Sequence, residues 1–189
     1  MQHTQTTLSV IRRFNRGVTL IEAMIVIVIL AILAAVGIPA MGQFTKDTRA
    51  SNVTNEFVNA VSTARTEAIR RGRLVTVCRS TTPEAALPTC DTGSDWSPGW
   101  VVFVETSSAA PNTVTAANLL SRHGVLTTNV NAQELVKTIP ITFNATGEPV
   151  GNFTGVSFNF NYNGGCGRQV DISRTGRVTV TPDGTPCGN

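Results

Sequence analysis

The sequence has 189 residues, four cysteines and a formal net charge of +3. Three of its 15 basic residues stand before position 17, where there is no acidic residue, so twelve basic and twelve acidic residues remain after it. The part of the chain after position 17 is therefore neutral. It lacks the overall positive field that attracts nucleic acid or acidic lipid, so binding of either would have to come from local clusters of basic residues. The length fits a single globular domain preceded by other segments.

The first informative element is an apolar run that follows a basic start. Arg12, Arg13 and Arg16 precede the run, and residues 23–36 contain no polar side chain. As a helix, residues 20–41 would extend about 33 Å at about 1.5 Å per residue, enough for a hydrocarbon core of about 30 Å. The arginines predict that the N-terminus stays in the cytoplasm and that the rest of the chain is exported.

Glu22 interrupts the apolar run near its start. A carboxylate inside a membrane segment is costly and usually functional. Cleavage after Gly17 would create an amine on Val18, one helical turn from Glu22, and the two charges could then pair within one helix or between neighbouring helices. An ordinary signal peptide cut after Gly37 and a plain membrane anchor are the alternatives. The length of the run argues against the first, and neither explains Glu22.

The segment GVTLIE at residues 17–22 resembles the processing site of type IV prepilins and type II secretion pseudopilins. The resemblance implies that a prepilin peptidase removes residues 1–17 as a leader and methylates Val18, where this family most often has phenylalanine. In a filament, pairing between Glu22 and the new amine would fix the axial register of neighbouring helices. Pro39 resembles the proline that kinks the pilin helix, as its missing N–H and its clash with the preceding turn would do.

An amphipathic helix is predicted to continue from the apolar run to Arg71. Apolar residues recur at three- and four-residue spacings and are expected to face a core: Val53, Phe57, Ala60, Val61, Ala64 and Ala68. Gly72 is expected to end the helix as its C-terminal cap, and Arg70 and Arg71 stand where cations favour the helix dipole. We therefore expect a membrane and filament-core helix over residues 18–42 and an amphipathic helix of the head over 43–71.

After residue 72 the pattern changes to short strands separated by loops rich in Gly, Pro, Asn and Asp. The candidate strands cover residues 74–79, 99–105, 119–123, 135–143, 156–162, 169–172 and 177–181. Pro140 should split or bend the fourth strand, and Trp96 and Trp100 are predicted to pack over the helix rather than on a ligand. The expected fold class is α+β, with an antiparallel β head domain over residues 72–189 packed on the long helix.

All the cysteines lie in the part of the chain that is expected to be exported, where disulfides form. Four cysteines allow three connectivities, and we favour Cys78 with Cys90 and Cys166 with Cys187 because each pair closes a loop rich in Gly, Pro, Thr and Asp. Each bond should contribute about 2 to 4 kcal/mol. No C-x-x-C spacing occurs and the only histidine after the leader is His123, so neither a metal nor a cofactor is expected.

Four head segments narrow the resemblance to one branch. They are ARTEAIRRG at 64–72, WSPGWVVFVE at 96–105, ITF at 141–143 followed by Gly147, and ISRTGRV at 172–178. They are similar to the minor pilins and pseudopilins of the FimT, FimU and GspH group. The resemblance implies a single-pass subunit of the bacterial inner membrane, with its head in the periplasm, that later enters a pilus. Its partners would be the prepilin peptidase, other minor pilins, the major pilin and the inner-membrane assembly platform.

The resemblance favours a minor pilin that helps initiate or cap a type IV pilus, because the C-terminal cysteine pair is similar to the disulfide-closed loop of pilins. A type II secretion pseudopilin, GspH-like, stays open as an alternative. No enzyme is expected, since the chain has no G-x-S-x-G, P-loop or G-x-G-x-x-G motif and a catalytic triad would depend on His123 alone.

A DNA-binding pilus subunit for natural transformation, FimT-like, is the other alternative. DNA-binding members resemble each other in a terminal Gly-Arg-x-Arg motif, whereas residues 176–179 read GRVT and place Thr179 where the second arginine would stand. If DNA is bound, its phosphates would meet the arginines of the two local clusters: Arg174 and Arg177, together with Arg70, Arg71 and Arg73. The missing arginine disfavours this alternative.

Overall fold

The computed structural model describes residues 17–106, 112–126, 129–135, 140–151, 153–163, 165 and 167–184. In this part of the chain, helix α1 (Leu20–Arg71) is followed by strands. In chain order these are β1 (Val75–Arg79), β2 (Trp100–Val104), β3 (Leu119–His123), β4 (Val130–Glu134), β5 (Ile141–Phe143), β6 (Val156–Tyr162), β7 (Gly167–Ile172) and β8 (Val178–Pro182). The chain divides into one compact unit that ends at Ala40 and a second that begins at Met41.

The first unit contains the start of α1, whose described apolar side chains are exposed. Among the residues that the structure describes, no helix is both long enough and apolar enough to cross a membrane. Pro39 lies within α1, but its side chain is outside the described part, so the kink at Pro39 stays a prediction. Arg12, Arg13 and Arg16 also lie outside the described residues.

In the second unit, α1 ends where the sequence predicts. Gly72 adopts a φ of 63°, a left-handed conformation that glycine adopts without steric cost. Its N–H donates to the carbonyl oxygen of Ile69, and the N–H of Arg73 donates to that of Ala68. These two hydrogen bonds form a Schellman motif, which satisfies carbonyls that the helix end leaves unpaired.

The predicted apolar stripe of α1 faces the core, which confirms the periodicity. Its members are all buried: Val53, Phe57, Ala60, Val61, Ala64 and Ala68. The ring of Phe57 lies edge-on to that of Trp96, with 5.6 Å between the centroids. The ring of Trp100, which is also buried, lies 5.3 Å from that of Phe57, so both tryptophans pack against the helix as predicted.

The strands of the head form two antiparallel sheets on this helix. The first sheet has the order β3-β2-β1-β5, and the second has the order β4-β6-β7-β8. In the first sheet Val77 stands opposite both Val102 and Ile141. In the second sheet Phe158 stands opposite both Glu134 and Val170. The α+β architecture expected from the sequence is therefore confirmed.

The prediction of a strand over residues 135–143 is wrong in its bounds. Within the described residues, that strand is limited to β5, and β4 precedes it over Val130–Glu134. The inward positions of β4 are Val130, Ala132 and Glu134, all buried. Because one of them is a glutamate, the sequence does not show the alternation of apolar and polar residues that would predict a strand. Trp96 Nε1 donates to Glu134 Oε2 at 3.2 Å, so a distant indole explains how a carboxylate occupies the core. The other predicted strands are confirmed to within two residues.

Cys78 and Cys90 form a disulfide, which confirms the favoured pairing of the first two cysteines, with their Cα atoms 5.5 Å apart. Cys166 and Cys187 lie outside the described residues. Next to the disulfide, Asp91 Oδ2 accepts hydrogen bonds from the N–H of Thr81 at 2.7 Å and from Thr89 Oγ1 at 2.9 Å. Partial burial raises the pKa of Asp91, but the hydrogen bonds from Thr81 and Thr89 outweigh it and the pKa falls below its ordinary value.

Replacing Gly99 should test the close approach of β2 to the end of β3. Gly99 has a φ of 124°, and an added Cβ would overlap the carbonyl oxygen of His123 and lie 2.9 Å from that of Gly124. Gly151 also has a positive φ, 81°, with no atom within 4 Å of an added Cβ. We expect Gly151→Ala to cost about 1 to 2 kcal/mol of unfolding free energy. Gly99→Ala should cost at least about 1 kcal/mol more, measured by denaturant unfolding in detergent. Equal losses would contradict the predicted clash.

The lowered pKa of Asp91 predicts a pH-dependent contribution to stability. A carboxylate whose pKa is lower in the folded state stabilises that state above its unfolded pKa, and this contribution is lost as the pH falls through the folded pKa. Asp91→Asn should therefore lower Tm at pH 7, and the difference from wild type should shrink as the solution is acidified below about pH 4. Glu84 is exposed, so Glu84→Gln is the control and should leave Tm unchanged. A Tm difference for Asp91→Asn that is constant between pH 7 and pH 3 would contradict this.

Candidate functional site

The segment predicted to be a processing site lies at the start of α1. The N–H of Glu22 donates to Thr19 Oγ1 at 3.2 Å, and the N–H of Ala23 donates to the carbonyl oxygen of Thr19 at 3.1 Å. Thr19 is therefore the N-cap of the helix, and Glu22 occupies the third helical position, as in a capping box. Sequence reasoning missed this role, although the Thr-x-x-Glu spacing was its signal.

The two residues on either side of the predicted cut are accessible. Gly17 and Val18 are exposed, and Val18 retains 73% of its accessible surface. No atom lies within 4 Å of the position that a Cβ on Gly17 would take. In the described part of the chain, the carboxylate of Glu22 accepts no hydrogen bond and joins no ion pair. A new amine on Val18 would thus stand one helical turn from an uncompensated carboxylate.

The arginines at the end of α1 are already engaged by a carboxylate. Arg70 Nη2 lies 2.7 Å from Glu67 Oε2, and Arg71 Nε lies 2.5 Å from the same oxygen. The hydrogen bonds from Arg70 and Arg71 lower the pKa of Glu67 to about 2, and Glu67 in turn raises the pKa of Arg70. Phosphate would have to compete with Glu67 for both guanidinium groups.

The remaining predicted arginines differ in what they contact. Arg73 Nη2 donates to the carbonyl oxygen of Glu105 at 3.1 Å. Arg174 and Arg177 lie in the turn between β7 and β8, and both are exposed. Neither guanidinium forms a hydrogen bond or an ion pair with any other described residue. The structure therefore divides the five arginines into three that are engaged and two that are not.

On strands β7 and β8, an acid stands opposite the position where the DNA-binding motif would have its second arginine. Arg177 and Thr179 line an open cavity of about 480 Å³ together with Asp171. Asp171 stands directly opposite Thr179 across the two strands and accepts a hydrogen bond from Ser157 at 2.5 Å. An arginine at position 179 would meet this carboxylate before it met a phosphate.

His123, the histidine that sequence analysis weighed as a catalytic group, has a structural role at the end of β3. Its ring stacks on that of Trp100, with the centroids 4.1 Å apart. Nε2 lies 2.6 Å from Glu56 Oε2 on α1, and Nδ1 lies 2.8 Å from the carbonyl oxygen of Gly124. These contacts attach the edge of the first sheet to the helix.

Two family models match this sequence, and together they cover most of it. The family described as type II transport protein GspH matches residues 53–176, which contain the end of α1 and most of the strands. The prokaryotic N-terminal methylation motif matches residues 12–38, which contain the predicted cut and Glu22. No curated protein sequence matches the chain.

Solved structures of two proteins share the fold. The type IV minor pilin FimU of Pseudomonas aeruginosa is 22% identical, with a TM-score of 0.57, and the match covers 77% of this chain and 99% of FimU. A second crystal form of FimU gives a TM-score of 0.53. The minor pseudopilin EpsH of the Vibrio cholerae type 2 secretion system is 11% identical, with a TM-score of 0.51, over 72% of this chain and 98% of EpsH.

A methylation motif, a long N-terminal helix and an antiparallel β head together define a pilin-like subunit. This chain belongs to the GspH family, and it is a minor pilin or pseudopilin of the FimT, FimU and GspH type. Members of this class are structural subunits and not enzymes, and they assemble with other pilins in a pilus or a pseudopilus.

Weak DNA binding is the expected consequence of the arginine geometry. A head with few free guanidinium groups neutralises few phosphates. The logarithm of its DNA-binding constant should therefore fall only gently with the logarithm of salt concentration, with a slope of about −0.9 for each phosphate contacted. Thr179→Arg alone should change the slope little because Asp171 competes for the new cation. Thr179→Arg combined with Asp171→Asn should steepen it by about 1. Fluorescence anisotropy with duplex DNA across a salt series measures each slope. Tight wild-type binding that Arg177→Ala abolishes would contradict the prediction.

Proposed function

We propose that this protein is a minor pilin of a type IV pilus that helps initiate or cap the filament together with other minor pilins. The observation that carries the proposal is the joining of a processing and methylation motif to a GspH-type head in one chain. The similarity to FimU, a type IV minor pilin, supports a pilus. So does the predicted C-terminal cysteine pair, which is similar to the disulfide-closed loop of pilins.

The proposed sequence of events begins at the inner membrane. Residues 1–17 are the leader that a prepilin peptidase removes, and residues 18–42 are a single span that anchors the subunit with its head in the periplasm. The basic leader and the apolar run support this orientation. The inner-membrane assembly platform then transfers the subunit into the filament, where other minor pilins and the major pilin are its neighbours.

We also propose that Cys166 and Cys187 form the second disulfide. The N–H of Asp183 donates to the carbonyl oxygen of Gly167 at 3.2 Å, which brings the residue after Cys166 beside a residue four positions before Cys187. A cross-link there would close the end of β8 onto the β6–β7 hairpin. The periplasm is oxidising enough to maintain such a bond.

Glu22 is proposed to set the register of the subunit in the filament. Removal of the leader creates a positive amine at Val18, and a buried carboxylate needs such a partner. Within one helix the pair contributes nothing to assembly. Between neighbouring helices it forms only when their axial positions agree, so the pairing selects correctly placed subunits.

Three substitutions separate the charge of Glu22 from its place in the capping box. Glu22→Ala removes both the charge and the side chain, Glu22→Gln removes the charge but keeps a side chain that suits the third helical position, and Thr19→Ala removes the capping hydroxyl and keeps the charge. We expect both Glu22 variants to reach the membrane fraction at wild-type levels or above, because a carboxylate in lipid is costly. Their amount in sheared pili should fall at least about tenfold, the factor that about 1.4 kcal/mol represents. Thr19→Ala should assemble normally.

Immunoblots of membrane and sheared-pilus fractions measure these effects, with cellular piliation as a second readout. Normal incorporation of Glu22→Gln would contradict a role for the charge. If the single variants Thr19→Ala and Glu22→Ala both fail to enter pili while Glu22→Gln enters normally, the effect comes from the start of the helix and not from the charge.

A type II secretion pseudopilin is the second candidate function, and the GspH family match together with the similarity to EpsH favours it. The two functions differ in the neighbours of the subunit. Affinity isolation of the tagged full-length protein from cross-linked membranes should recover minor pilins of the pilus machinery. Recovery of secretion-system pseudopilins in their place would contradict the proposal and support the second candidate.

A further inference from the structure

A groove of about 410 Å³ lies between the last turns of α1 and the turn that joins β7 to β8. The described residues that line it supply an apolar floor, hydroxyl groups and two cations, but no carboxylate. The ones that carry the argument are Val58, Val61, Ser62, Arg65, Arg177 and Val178.

Arg65 is fixed in the wall of the groove by the backbone around it. Its Nη1 donates to the carbonyl oxygen of Gly176 at 3.3 Å. Gly147, at a φ of 79°, packs so closely that an added Cβ would lie 3.1 Å from Arg65 Nε. The side chain is half-buried, and no carboxylate among the described residues neutralises it. A fixed and uncompensated guanidinium attracts an anion.

Arg177 brings a second cation to the same groove from a rigid turn. Its N–H donates to Ser173 Oγ at 3.1 Å, and its carbonyl oxygen accepts the N–H of Ser173 at 2.9 Å. The N–H of Gly176 also donates to the carbonyl oxygen of Ser173 at 2.9 Å. The backbone of Arg177 is thus held in place, while its guanidinium has no partner in the described part of the chain.

We propose that this groove binds a carboxylate of another pilin subunit, either an acidic side chain or a chain end. The proposal rests on the proposed function, because a subunit that assembles with other pilins presents its head to their surfaces. Two guanidinium groups match the two oxygens of a carboxylate, and the valines beside them suit its short aliphatic stem. The groove offers no positive stripe for a nucleic-acid backbone, and the neighbouring cavity, which Arg177 also lines, includes the acidic residue Asp171.

The test uses the full-length protein in its own membranes and converts Arg177 to a cross-linking amine. Arg177→Lys keeps the positive charge, and carbodiimide joins a lysine amine only to a carboxylate in direct contact with it. Because the guanidinium of Arg177 forms no hydrogen bond or ion pair with a described residue, the change should not impair folding. Arg174→Lys is the matched control, since Arg174 lies in the same turn, is exposed and does not line the groove. The wild type, whose lysines are Lys46 and Lys137, gives the background.

We expect Arg177→Lys, and neither control, to give a cross-linked peptide that mass spectrometry assigns to position 177 and to an acidic residue or C-terminus of another pilin. Its yield should fall at least about tenfold in a second variant, Arg177→Lys with Arg65→Gln, which corresponds to about 1.4 kcal/mol. Arg177→Glu should reduce incorporation into sheared pili, whereas Arg174→Glu should not.

Cross-links from position 177 that reach only carboxylates of the same chain, or that occur equally from position 174, would overturn the proposal. Formaldehyde capture of DNA by position 177 and not by position 174 would overturn it in favour of nucleic acid. If Arg177→Glu assembles normally while deletion of the whole gene abolishes piliation, the groove proposal fails and the proposed function stands. If deletion leaves piliation intact, the proposed function itself fails.

Discussion

The head of this protein depends on one helical side chain, Phe57, packing against aromatic rings from both sheets. The centroid of its ring lies 5.3 Å from that of Trp100 on β2, and 4.6 and 5.1 Å from those of Phe158 and Phe160 on β6. Phe57 is fully buried, and such aromatic pairs contribute about 0.5 to 1.5 kcal/mol each beyond their buried area. Because β2 and β6 belong to different sheets, the helix joins both sheets in a single core. The groove between α1 and the β7–β8 turn exists because the helix is held there.

The charges that remain uncompensated in the described chain suggest how such a subunit works. At the end of α1, Glu67 neutralises two arginines, which explains why a basic sequence cluster there need not bind anything. Among the described residues, neither Glu22 nor Arg177 forms an ion pair, although Asp171 lines a cavity together with Arg177. A charge without a partner in its own chain is costly to bury, so each of these two groups selects a complementary neighbour. Both proposals therefore assign recognition between subunits to charges that the isolated chain leaves unpaired.

Local features of the fold could be predicted from the sequence, and features that depend on distant contacts could not. The apolar stripe around Phe57 and the cap at Gly72 follow from helical spacing and from the left-handed conformation that glycine allows. Strand β4 was missed because the buried partner of Glu134 is Trp96, which is 38 residues away in sequence. The processing site was predictable because its motif is contiguous. The groove beside Arg65 could not be predicted, since the hydrogen bond from Arg65 to Gly176 joins residues 111 positions apart in the sequence.

We infer that this chain is processed and exported as a pilin, and the sharpest test is intact-mass spectrometry of the protein isolated from membranes. We expect a single species that begins at N-methylated Val18, with the mass lowered by the four hydrogens that two disulfides remove. A mature chain that begins at Ile38 would reveal an ordinary signal peptide and contradict the claim. An uncleaved precursor in cells with an active prepilin peptidase would contradict it equally.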